Sequence, residues 1–103
     1  MPLPRSWLLL ASAIPACQAY DPAFAYEMAT IVEHGIRRMY GSDPANGDPD
    51  VFYYLTLYNE NYAQPAMPDG VAEGVLNGLY KFRTGPEGLK HKAQIIGSGP
   101  IIR

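Results

Sequence analysis

The chain is poor in the features that most quickly assign a class. It has one cysteine, Cys17, in 103 residues, so no intrachain disulfide can form. No apolar run approaches the roughly 20 residues that a membrane-spanning helix needs. Its formal net charge is -2, from 8 basic and 10 acidic residues, with no basic stripe to hold nucleic acid. The two histidines, His34 and His91, have no second histidine, cysteine or carboxylate at metal-ligand spacing, which argues against a metal site. Gly97-Ser98-Gly99 resembles the start of a phosphate-cradling turn, but the third glycine of a G-x-G-x-x-G fingerprint is replaced by Ile102. At this length one domain at most is expected, with a modest core.

Hydrophobic residues are abundant, at 48%, enough for a globular core. Ten glycines and ten prolines gather mainly at 41–49, 65–70 and 84–100 and mark loops. The opening stretch MPLPRSWLLLASAIPACQA has two readings. In one it is an export signal, with Arg5 as the charged start and Ala16 or Ala19 at the cleavage point, or a lipoprotein site at Cys17. In the other, Leu8–Ile14 is a buried strand, since a continuous apolar run suits a parallel sheet covered on both faces. A single positive charge, a short apolar centre and Pro15 favour the strand.

Asp21-Pro22 then opens a predicted helix over 21–40, with an N-cap side chain followed by proline at the first helical position. Phe24, Met28, Ile31, Val32, Ile36 and Met39 give it an apolar face. Arg37 and Arg38 suit its C-terminal dipole, and Gly41 stops it. Residues 51–58, VFYYLTLY, read as an interior strand. A second helix is predicted over 71–82, capped by Asp69, with Val71, Val75, Leu76, Leu79 and Phe82 inward and Gly74 and Gly78 packing closely against a neighbouring backbone. A last strand begins at 93. Strand, helix, strand, helix, strand is the α/β pattern with a parallel sheet. Three strands need cover on both faces and at both edges, so the chain reads as a piece of something larger. Between the second strand and second helix lies Asn59-Glu60-Asn61-Tyr62-Ala63-Gln64-Pro65. A carboxylate among amides at a strand's C-terminal end can orient a polar ligand; the alternative is a solvated loop whose asparagines cap turns.

The motifs YDPAFAYE (20–27) and YNENYAQPAMP (58–68), with the glycine-bearing helix after them, closely resemble the homodimeric bacterial pyruvate dehydrogenase decarboxylating component. The likeness covers about residues 8–103. It implies the fold of a parallel three-layer α/β sheet fragment of a thiamin diphosphate-binding, transketolase-like pyrimidine domain. Residues 1–83 would be the C-terminal part of that middle domain, 84–92 a linker, and 93–103 the start of the C-terminal domain. Met1 would be a start imposed by truncation, and the chain a fragment or split-gene remnant. The resemblance implies oxidative decarboxylation of pyruvate with acetyl transfer to lipoyl carriers in the intact, cytoplasmic enzyme. Tyr20 and Glu60 look like positions facing the active centre, with Asn59 and Tyr62 on the cofactor side. Many members have a histidine directly after NENY, where this chain has Ala63. The intact enzyme would use thiamin diphosphate with magnesium. This chain lacks the glutamate that activates the cofactor's aminopyrimidine, and Gly47-Asp48 is followed by Pro49 where the metal motif has glycine. No tight cofactor binding and no activity are therefore expected of the fragment alone. Implied partners are the remaining domains, a homodimer partner and the lipoyl acetyltransferase component, with neither nucleic acid nor membrane. The competing expectations are a small exported domain or lipoprotein, and an interaction module without chemistry.

Overall fold

The structure, a computed structural model, describes residues 6–58 and 61–99. Two short strands, β1 (Cys17–Tyr20) and β2 (Phe52–Leu55), pair in parallel with Cys17 opposite Phe52 and Tyr20 opposite Leu55. Between them the chain passes through helix α2 (Ala25–Tyr40) and a 3-10 turn at Pro44–Asn46. Helix α1 (Ser6–Ser12) precedes β1 and packs on it; α3 (Ala72–Asn77) follows β2 and packs on α2. The result is an α/β fragment with a two-stranded parallel sheet, in keeping with the predicted order of pairing.

The apolar run at 8–14 is not a strand. Its first part is helix α1, and the strand lies further on, at 17–20. Leucine and alanine are good helix formers, and Ile14 is the only β-branched residue of that run. Pro15 biases the residue before it towards an extended backbone, so the change from helix to strand falls there. Leu9 and Leu10 remain 74% and 66% exposed.

Helix α2 begins four residues after Asp21, with Phe24 in the capping position. Phenylalanine offers no acceptor, so the cap is made from the other side: the Glu27 carboxylate accepts from the Phe24 and Ala23 amides. Asp21 does not cap the helix; its carboxylate takes the Thr56 hydroxyl at 2.6 Å. Ile31 is buried at the centre of the core with Val71 and Val75 of the α3 region, flanked by Tyr20, Tyr53, Leu55, Leu76 and Tyr80. Val32 and Ile36, assigned to the same apolar face, are exposed. The face is narrower than predicted because α2 is covered on one side only among the described residues.

Strand β2 is half the predicted length, and β1 is its one neighbour among the described residues. Its ladder extends slightly at both ends, from the Phe52 amide to the Ala16 carbonyl and from the Thr56 amide to the Tyr20 carbonyl. Helix α3 is also shorter than predicted. Val71 rather than Asp69 precedes it, and Gly78, at φ +92°, ends it in the left-handed conformation that glycine adopts without strain. Leu79 is consequently off the helix and exposed, while Phe82 stacks on Phe24 with ring centroids 5.3 Å apart. The third predicted strand is not formed in residues 93–99: Ile95 and Ile96 are exposed with no ladder partner among the described residues, and pairing is what makes a strand.

Candidate functional site

Because β1 and β2 run parallel, their C-terminal ends lie together, and the chain leaves both at the same edge. Tyr20 closes β1. Its ring stacks on Tyr53 at 6.3 Å with 9° between the planes. Its hydroxyl donates to the Leu76 carbonyl of α3 at 2.6 Å. Burial raises the Tyr20 phenol pKa, and the neighbouring Tyr53 adds to the rise against an opposing effect of Arg38.

The segment 21–24 that follows Tyr20 runs between two clefts. The smaller, of about 110 Å³, lies between Tyr20, Glu27, Tyr80 and the turn at Gly97–Gly99. The larger, of about 220 Å³, is lined by Phe24, Met28, Leu57, Tyr58, Tyr62 and Gln64. The loop after β2 returns to the start of α2 at two points. The Tyr62 hydroxyl donates to the Ala23 carbonyl, and the Ala25 amide donates to the Gln64 side-chain oxygen at 2.9 Å. Phe24 stands between rings from three parts of the chain, Tyr26, Tyr62 and Phe82.

Of the site residues expected from the sequence, Tyr20 and Tyr62 flank the same segment but line different clefts. Asn59 and Glu60 lie outside the described residues. Cys17 is a free, half-buried thiol on the first rung of the sheet. Among the described residues no three His, Cys, Asp or Glu side chains converge as metal ligands, and no helix is long and apolar enough to cross a membrane.

The sequence did not single out Glu27, the most heavily bonded polar side chain of the site. It is 8% exposed, and one carboxylate oxygen accepts from the Ala23 amide at 2.5 Å and the Phe24 amide at 3.3 Å. The other oxygen accepts from the Tyr80 hydroxyl, which in turn is hydrogen-bonded to Tyr26. With its own proton committed to Glu27, Tyr80 accepts from Tyr26. Burial, followed by the bonds to Glu27 and Tyr26, drives the Tyr80 phenol pKa far upward; burial also raises that of Tyr26. A glutamate three residues after Phe24 is a capping-box signal, but Asp21-Pro22 is the more conspicuous helix start. Tyr80, 53 residues away in sequence, carries no local signal.

A parallel β-α-β unit with two small clefts beside its C-terminal strand ends is part of an α/β domain. The family described as pyruvate dehydrogenase E1 component middle domain matches residues 6–65, and the chain belongs to that family. Among its relatives, the pyruvate dehydrogenase E1 component of Mycolicibacterium smegmatis is 56% identical over 93 residues, 89% of this chain. Those of Buchnera aphidicola and Escherichia coli are 53% and 52% identical over 90 residues, 87% of this chain. The chain spans 10% of the length of each of these relatives.

Proposed function

We propose that this chain forms part of the cofactor cleft of a pyruvate dehydrogenase E1 component. In its intact form that enzyme oxidatively decarboxylates pyruvate and passes the acetyl group to lipoyl carriers. The carrying observation is an identity above one half over nearly nine-tenths of the chain to proteins bearing that name. In this reading residues 1–83 are the C-terminal part of the middle domain, the third layer of the sheet comes from the rest of that domain, 84–92 are a linker, and 93–103 enter the next domain. The working partners are the remainder of the enzyme, a second copy of it and the lipoyl acetyltransferase component, all in the cytoplasm.

Thiamin diphosphate, when bound, supplies the electron sink that lets carbon dioxide leave. The residues of the larger cleft fit its flat heteroaromatic ring: Tyr58 and Tyr62 offer aromatic surface, the largely buried Phe24 backs it, and Gln64 offers an amide. The described residues hold no acidic cluster for the magnesium and diphosphate end, which other parts of the enzyme would bind. Tyr62 fixes the Ala23 carbonyl and with it the wall beside Phe24. Glu60 is assigned the polar contact to the reacting centre, Asn59 and Asn61 the support of the loop, and Tyr20 the opposite side of segment 21–24.

The test is a chimera: the Escherichia coli E1 component with its matching stretch replaced by this chain. It is expected to decarboxylate pyruvate in a thiamin diphosphate-dependent manner, within about tenfold of the parent, a difference of one or two kcal/mol in barrier. Glu60→Gln in that chimera should lower kcat and kcat/KM together at unchanged melting temperature, as loss of a transition-state contact does. A folded, dimeric but inactive chimera would contradict the reading.

A further inference from the structure

We propose that Glu27 is a positioning residue for the larger cleft, acting through the Ala23–Phe24 backbone and locked in place by Tyr80. The inference rests on the functional reading above, and it assigns work to a side chain that lines the other cleft. Segment 23–24 is the common wall. On one side its two amides are held by a single Glu27 oxygen. On the other side its Ala23 carbonyl is held by Tyr62, and the Phe24 ring faces the Tyr62 ring at 6.4 Å. The turn is thus gripped from both faces, and the grip fixes where the Phe24 ring stands in the cleft.

The ionised carboxylate suits this task because both its oxygens accept and neither donates. Each has donors in place: backbone amides on one, the Tyr80 phenol on the other. A glutamine has one accepting oxygen and an amide that only donates. With that oxygen on the Ala23 and Phe24 amides, the glutamine amide meets Tyr80, whose hydroxyl must reverse to accept from it and donate to Tyr26, so the charge-assisted bond that locks the turn is replaced by a weaker neutral one. A cap needs only the bonds to the amides. The further bond to Tyr80, itself hydrogen-bonded to Tyr26, ties the turn to the chain beyond α3, which is what orientation of the wall requires.

The experiment titrates thiamin diphosphate, with magnesium, into the chimera described above and into its E27Q, Y80F and double variants. Quenching of intrinsic fluorescence reads binding without turnover; melting temperature and kcat at saturating cofactor are measured alongside. The expected result is a Kd about tenfold weaker in E27Q and several-fold weaker in Y80F, with kcat at saturation changed about twofold or less. The double variant should bind about as E27Q does, because both changes break one linkage. An unchanged Kd in E27Q, whatever the melting temperature does, overturns the proposal and leaves Glu27 a helix cap. If E27Q does not fold, Y80F decides: a weakened Kd supports the proposal and an unchanged one overturns it. Failure of the unsubstituted chimera to bind overturns the functional reading, and this inference with it.

Discussion

At the scale of single residues, three tyrosines carry the polar links of the site. Tyr20 reaches the Leu76 carbonyl, Tyr62 the Ala23 carbonyl, and Tyr80 the Glu27 carboxylate. Tyr20, Tyr26 and Tyr80 have phenol pKa values raised above the ordinary 10.0, so the folded chain holds these protons more tightly than the unfolded one. The stabilisation is complete below pH 10 and is lost as pH rises above the unfolded value. Melting temperature should therefore fall steeply once pH passes about 10, and Tyr80→Phe should flatten that fall. A melting curve indifferent to pH across this range would show the three phenols solvated. Tyr20 and Tyr62 were legible as residues near a cleft because they sit in recognisable motifs. Glu27 and Tyr80 were not, because the bond between them joins residues far apart in sequence and local patterning does not report such pairs.

Elements were legible in kind where a side-chain period was long and poorly so where it was short. Helix α2, with 16 residues, a cationic last turn and Gly41 beyond it, was readable almost whole. Its start was misplaced because Asp21 spends its carboxylate on Thr56 instead of on a helix amide. The run at 8–14 was misread because continuous apolarity has no period, and leucine serves a helix as well as a strand. The two glycines of α3 separate into different roles. At Gly74 an added Cβ would stand 2.6 Å from the Tyr80 Cβ, so close packing does require a glycine there. At Gly78 there is open space, and the positive φ is the requirement. Gly74→Ala should cost about 1–3 kcal/mol and displace Tyr80 from Glu27. Gly78→Ala should cost about 1 kcal/mol, through backbone strain alone, and leave the Tyr80 phenol undisturbed. Denaturant titration with phenol absorbance on both variants separates the two; equal costs with equal spectra would refute the distinction.

At the scale of the whole molecule the sequence conveyed the parallel order and the family but not the extent of the sheet. Periodicity identifies which residues form a strand; it does not say which neighbour the strand will have. Phe52, Leu57, Ile95 and Ile96 are exposed apolar residues at or beyond the sheet, and the chain spans a tenth of its relatives. In the proposed reading their cover, like the diphosphate-binding motif absent from these 103 residues, falls to the rest of the enzyme. In the proposed reading the aromatic cleft would hold only one end of the cofactor, and a ring without its charged end anchored binds weakly. The direct measurement is a calorimetric titration of thiamin diphosphate, with magnesium, into this chain by itself and into the Escherichia coli chimera that carries it. The expected result is no saturable heat from the chain alone and saturable binding by the chimera. Saturable binding by the isolated chain, or none by a folded chimera, would contradict the assignment of this chain as one wall of a cleft completed elsewhere.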